Sequence, residues 1–272
     1  MKSQFENIVL SAACGLKPDS ISFFLMSLRR FYNGKVLFLV NPNDYELKKT
    51  IKFYNCDFLD ISDHKFDVQI QRYFHFLEFL KANKFNNILL CDSRDIYFQA
   101  NPFDYQYLGC INYFLESKRI GDCEYNSNWI KKTYGQTIFK KLSNEIIVCS
   151  GTTLGSFDYI KNYLELILTQ AKKFKYKKKL KYLLTFRRDK EGRGCDQAYS
   201  NFIAHSNLIE KSHFYKNESG PIATVYNLKK IIFNNKFQLV NSMNEPYAVV
   251  HQYDKRWNEF EDKINNFKNT II

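Results

Sequence analysis

No stretch of the 272-residue chain runs apolar for 18 residues, which argues against a membrane-spanning helix. No leader-like segment precedes Phe5, so the expectation is a soluble, cytoplasmic protein. Glycine (10) and proline (5) are scarce and gather into no linker, and no internal repeat is visible. That favours one domain over residues 1–272. The seven cysteines show no C-x-x-C spacing and are odd in number, which argues against a zinc site or a disulfide framework and for reduced thiols. G-x-G-x-x-G and G-x-x-x-x-G-K-[ST] are both missing, so a dinucleotide-binding Rossmann domain and a P-loop are disfavoured. Acidic residues are short: 28 Asp and Glu face 40 Lys and Arg, for a net charge of +12. Such a surplus favours polyanions, an acidic membrane surface or phosphorylated ligands, and charge alone does not choose among them.

What is present reads as an ordinary folded chain, 45% hydrophobic with 25 Phe and 19 Tyr. Asn7 to Ala13 reads as a strand, and Pro18-Asp19-Ser20 starts a helix whose apolar face is Ile21, Phe24, Leu25 and Leu28. Asn33-Gly34 closes it. Lys35 to Val40 is a second strand, a short helix covers Tyr45 to Tyr54, and a third strand lies near Asp57 to Ile61. A helix from Val68 to Ala82 leads to the strand that starts at Asn87. This alternation predicts an α/β fold, Rossmann-like and doubly wound, with a mostly parallel sheet, helices on both faces and a smaller, variable C-terminal half. There the pattern predicts a strand over 108–116, a helix over 128–142, a strand over 144–154 and a helix over 157–174. Another helix opens at Asp196, and short strands fall near 207–211, 223–228, 237–240 and 248–251.

Four places carry chemistry. The apolar run Ile88 to Cys91 stops abruptly at Asp92-Ser93-Arg94-Asp95. Two carboxylates at a core-strand exit need solvent, a partner or a cation, and that exit is where ligands sit in open α/β sheets. The plain alternative is an exposed Asp–Arg pair. His251, just after Ala248-Val249-Val250 and beside Lys255 and Arg256, can ligate a cation while the bases hold phosphate oxygens; the alternative is a structural histidine in a solvated turn. Cys149-Ser150-Gly151-Thr152, read as a sheet edge, permits close ligand approach, or equally tight packing. Asp196-Gln197 is either a base facing a hydroxyl or a helix N-cap.

In order along the chain, these four elements resemble the GT-A fold of nucleotide-sugar glycosyltransferases. Leu90-Cys91-Asp92-Ser93-Arg94-Asp95-Ile96-Tyr97-Phe98 followed by Asn101-Pro102-Phe103 is similar to that family's acidic metal motif. Asp95 falls on its second acid, and Asp92 stands one residue upstream of its usual first. The resemblance covers about residues 7 to 257. It implies a nucleotide-sugar-binding half to about residue 105 and an acceptor-binding half beyond. It also implies Mn²⁺ or Mg²⁺ on Asp92, Asp95 and His251. Donor contacts would come from Ser11, Ala12, Ala13, Arg72, Asp92, Ser93, Arg94 and Lys255, with Arg94 orienting the acid pair. Ser150, Gly151, Asp196 and Gln197 would face donor sugar and acceptor. Asp196 would be the base of an inverting enzyme, whereas a late His251 is a mark of several retaining members.

The partners so implied are a UDP- or GDP-sugar and a glycan, lipid-linked or protein-linked acceptor. Lys172 to Lys181, with seven lysines in ten residues, is either a solvated helix end or a contact with an anionic membrane at the periphery of the protein. Arg187 to Arg193 reads as a lid over the donor. Two rivals stay open. A metal-dependent nucleotidyltransferase also uses strand-end carboxylates, but Asp196-Gln197 and His251 are less expected there. A basic nucleic-acid-binding protein fits the charge, but most aromatics fall at core spacings, so no nucleic acid is expected.

Overall fold

The computed structural model describes residues 6–62, 68–185 and 194–271. Strands β1 (Ile8–Ala12), β2 (Lys35–Val40), β3 (Asp57–Asp60) and β4 (Asn87–Cys91) alternate with helices α1 (Pro18–Phe31), α2 (Tyr45–Phe53) and α3 (Val68–Ala82). Pro18 opens α1, where its missing N–H is no loss. The four strands are parallel. β1, β2 and β4 are apolar almost throughout because both of their faces are covered. Ile8, Leu10, Leu37, Leu39, Ile88 and Leu90 enter one core with α3. The residues between them, Val9, Val36, Phe38 and Leu89, enter a second core with α1 and α2. The two-residue period of the strands thus builds two cores.

The chain continues through β5 (Ile96–Phe98), β6 (Ile111–Arg119), α4 (Glu124–Tyr134), α5 (Gln136–Leu142), β7 (Ile146–Ser156) and α6 (Phe157–Thr185). Then come α7 (Cys195–His205), β8 (Ser212–Tyr215), β9 (Ile222–Thr224), β10 (Val249–His251) and α8 (Trp257–Ile271). The large sheet has seven strands in the order β3-β2-β1-β4-β7-β6-β8, and β7 is antiparallel to both neighbours. The fold is therefore α/β with a mostly parallel sheet flanked by helices, as expected. β5, β10 and β9 form a second, three-stranded sheet that packs on α8 and on Phe23 of α1.

The second half departs from expectation at identifiable residues. Gly135, at φ 86°, splits the helix expected over 128–142 into α4 and α5. The strand expected over 207–211 starts only at Ser212, because Asn207 and Lys211 both turn the chain at positive φ. Over 237–240 only isolated bridges form, Phe233 with Leu239 and Val240 with Pro246. α6 does not end at Phe174 but runs on to Thr185, so the lysine-rich run is helical in its backbone. The side chains of residues 177–185 and the whole expected lid, Arg187 to Arg193, lie outside the described residues. β7, read as a sheet edge, is an interior strand. All seven cysteines are free thiols. Among the described residues no helix is long and apolar enough to cross a membrane.

Candidate metal centre and flanking cavities

At Cys91 the chain leaves the large sheet, passes through Asp92 to Asp95, and enters the small sheet as β5. β5 pairs antiparallel with β10, with Ile96 opposite His251, and the Gln252 N–H donates to the Asp95 carbonyl at 2.7 Å. That register sets His251 beside Asp95. On the other side the Asp92 N–H donates to the Gly151 carbonyl of β7 at 2.9 Å. Asp92 Oδ2 then lies 3.4 Å and Asp95 Oδ1 3.7 Å from His251 Nε2. One ligand atom from each of the three residues lies within 4.8 Å of the others.

These residues could hold a metal ion. Two carboxylates and an imidazole form a donor set for a hard or borderline divalent cation. His251 is buried, and its Nε2 makes no hydrogen bond among the described residues, a costly state for a buried ring nitrogen without a ligand. Its Nδ1 rests 3.3 Å from Cys149 Sγ, which fixes the ring orientation. Gly151 makes the space. A Cβ there would lie 2.7 Å from Asp92 Oδ2 and 2.8 Å from His251 Nε2.

The two acids are tuned apart. Burial alone would raise the Asp92 carboxyl, but the Arg72 guanidinium and His251 outweigh it and hold Asp92 well below the usual carboxylate range. Asp95 is pushed up by burial, which His251 opposes and the Asp92 charge reinforces. Burial would lower His251, but Cys149, Asp95 and Asp92 raise it above the ordinary histidine range.

Arg72, part-buried on α3, bonds Asp92 through Nη1 and reaches Asp196 Oδ2 through Nη2 at 3.1 Å. Nη2 also donates to the Tyr73 hydroxyl at 2.9 Å. Arg72, expected as a donor contact, bridges two carboxylates in the structure. Asp196 does not cap its helix. Gly194, at φ 90°, takes the cap position, and Asp196 sits in the first turn of α7. Burial pushes its carboxyl up against the pull of Arg72. The Gln197 side-chain oxygen accepts the Ser150 N–H at 2.8 Å, and its amide donates to the Val148 carbonyl at 2.9 Å. Gln197 thereby pins β7 to α7.

Two cavities meet at Asp196, which lines both. The first, about 460 Å³, lies at the C-terminal ends of β1 to β4 and is lined by Ala12, Cys14, Asn41, Ile61, Arg72 and Asp92. It sits where the strand order reverses, between β1 and β4. The second, about 520 Å³, is lined by Glu116, Trp129, Ser150, Asn227 and Lys255 among others.

Several expected contacts have other partners. The Ser11 hydroxyl donates to the Cys91 carbonyl at 2.9 Å and ties β1 to β4, and Ala13 is buried in the α1 core. Ser93 donates to the Ala12 carbonyl at 2.8 Å, clamping the acidic loop to the first strand. Arg94 does not bond the acid pair; its guanidinium reaches Asp254 Oδ2 at 3.1 Å. Arg256 is bonded to Glu259 and to the Leu228 carbonyl. Lys255 stands half-exposed at the rim of the second cavity, 3.3 Å from Asp254. Sequence reasoning passed over Glu116, a lone carboxylate in an apolar strand, and Trp129, four residues after Tyr125 on α4. Both placements were visible as spacings, but neither spacing says which face meets a cavity.

No family model matches the chain, and no curated protein matches it.

Proposed function

We propose that the chain is a GT-A-type glycosyltransferase that moves a sugar from a nucleotide-sugar donor, UDP- or GDP-linked, to an acceptor hydroxyl. The observation that carries this reading is the convergence of Asp92, Asp95 and His251 at a strand exit on the rim of the first cavity. Asp92, Asp95 and His251 would hold Mn²⁺ or Mg²⁺. When bound, the cation would neutralise charge gathering on the departing nucleoside diphosphate. Ala12 and the residues after β1 would receive the nucleoside in the first cavity. Arg72 keeps Asp92 ionised for the cation and fixes the distance between the metal centre and Asp196. Gly151 gives the donor close approach to the backbone. Asp196, lining both cavities, faces the acceptor side with Ser150, and Lys255 offers a cation at the rim for diphosphate oxygens.

A glycan, lipid-linked or protein-linked acceptor fits this layout. For a lipid-linked one, the lysine run beginning at Lys172 is proposed as a contact with anionic membrane. Its described members Lys172 and Lys173 line a groove of about 830 Å³ with Phe174 and Tyr176. Co-sedimentation with vesicles rich in anionic lipid tests that contact, and no binding at low salt would rule it out.

The reading is tested by screening UDP- and GDP-sugars for thermal stabilisation with and without Mn²⁺, since a ligand of the native state must raise apparent stability. The expected result is metal-dependent stabilisation and slow nucleoside diphosphate release, both lost in Asp95→Ala. Tight, salt-sensitive DNA binding with no sugar-nucleotide effect would overturn it.

A further inference from the structure

The second cavity carries more chemistry than the transfer step uses. Tyr125 and Trp129 stand four residues apart on one face of α4, with ring centroids 6.0 Å apart and planes inclined by 33°. Both line the cavity, and Tyr125 is 64% exposed although its ring is large and apolar. Gly194, also in the lining, approaches the indole so closely that a Cβ there would lie no more than 2.5 Å from three Trp129 ring atoms.

Glu116, 6% exposed, lines the same cavity. Its two oxygens accept from neutral amides, Asn227 Nδ2 at 2.6 Å and Gln197 Nε2 at 3.3 Å. No cation forms an ion pair with it among the described residues. Burial pushes this carboxyl up, only partly offset by those two amides and the charges of His251 and Lys118. Gln252, in the same lining, keeps its side-chain oxygen buried without a hydrogen bond among the described residues. Asp196 is paired with Arg72, and Lys255, 3.3 Å from Asp254, stands out at the rim. Among the described residues the cavity thus offers two flat rings, oxygen acceptors and no lining cation beside Glu116.

Resting on the glycosyltransferase reading, the geometry points to the class of acceptor: an uncharged pyranose end, its C–H face laid on Trp129 and Tyr125 and its hydroxyls donating to Glu116 and Gln252. A hydroxyl donor satisfies the buried Gln252 oxygen, otherwise unpaired among the described residues, and adds to the bonds Glu116 already accepts. The positive ring edge and negative ring face of an aromatic favour C–H contacts over anionic groups. An acceptor with a carboxylate or phosphate at this end would meet the Glu116 carboxylate and, among the described residues, find no lining cation beside it. Glu116 is here a specificity-determining residue: it selects for hydroxyl donors and against anions.

The test uses the full chain with Trp257→Phe, which leaves Trp129 as the only indole. Its fluorescence is titrated with methyl gluco-, galacto- and mannopyranosides and with methyl glucuronoside. The expected result is a saturable change with at least one neutral glycoside, about tenfold weaker after Tyr125→Ala. The glucuronoside should give none, and Glu116→Gln should narrow the gap between it and its neutral counterpart. No saturable response to any neutral glycoside, or a glucuronoside that binds more tightly, would overturn the inference. Sugar-nucleotide stabilisation with Mn²⁺ is measured on the same protein. If that fails while the neutral glycoside binds, the transferase reading falls and the pyranose site stands; if it succeeds while neutral glycosides fail, the reverse holds.

Discussion

Gly151 lies directly under His251. A Cβ on Gly151 would stand 2.8 Å from His251 Nε2, and it would also meet Cε1 of the same ring. The backbone of an interior strand is thus part of the wall of the candidate metal centre. Gly151→Ala is expected to displace the ring, weaken Mn²⁺ binding at least tenfold and cost about 1–3 kcal/mol of stability by overpacking. Calorimetric Mn²⁺ titration together with urea unfolding checks both effects. Wild-type metal affinity in this variant would show that the strand leaves the ring free.

The two acids should fail differently. Asp92 is bonded by Arg72, so Asp92→Asn leaves a buried guanidinium short of a partner and is expected to cost about 3 kcal/mol. Asp95 has no such partner and is pushed up by burial, so Asp95→Asn should leave metal-free stability near or above wild type while abolishing cation binding. Urea unfolding in EDTA, then with Mn²⁺, separates the two. Equal losses for both variants in EDTA would contradict the division of labour.

Arg72 joins Asp92 to Asp196, and only a planar, forked cation can bond both. Arg72→Met is expected to cost about 3–5 kcal/mol because Asp196 is left unpaired and Asp92 keeps only His251, and Arg72→Lys should recover less than half of that. Adding Asp196→Asn to Arg72→Met should relieve part of the loss, a non-additivity read by a double-mutant cycle. Strict additivity would mean that the pair is not coupled.

Acidity has two opposite signs at this centre. His251 is raised above its ordinary value in the folded, metal-free chain. Its contribution to stability is full below the unfolded histidine pKa, about 6.5, and fades as pH rises through the higher folded value. A cation needs the neutral imidazole, so Mn²⁺ affinity should instead climb as pH rises over that same range. Titrations at pH 6, 7 and 8 should show proton release on metal binding, removed by His251→Ala. Affinity that is flat with pH would put His251 outside the coordination set.

The first hundred residues were legible because the strand and helix periods there are uninterrupted and punctuated by Pro18, Gly34 and Pro42. The acidic exit was legible for the same reason: an apolar run that stops at two carboxylates has few explanations. What stayed hidden depends on pairing across the chain. Nothing near Asp95 announces that β5 pairs with β10, yet that register brings in His251. The spacing of Asp92 and Asp95 made sense only once Ser93 was seen clamped to the Ala12 carbonyl while the chain crossed between sheets. Asn207, Lys211 and Phe237 turn the chain at positive φ without being glycine, so the strand boundaries of the second half carried no compositional mark. Arg94 lay nearest in sequence to the acids, but the strand exit turns it toward Asp254 and leaves Asp92 to Arg72, one helix earlier.

The central claim is that Asp92, Asp95 and His251 bind one divalent cation that in turn receives a nucleoside diphosphate. Mn²⁺ titration followed by electron paramagnetic resonance, with and without UDP or GDP, tests it most directly. The expected result is one bound Mn²⁺ per chain, tighter in the presence of one of the two nucleotides and lost in both Asp95→Asn and His251→Ala. No stoichiometric site in the wild-type chain, or undiminished binding in His251→Ala, would contradict it.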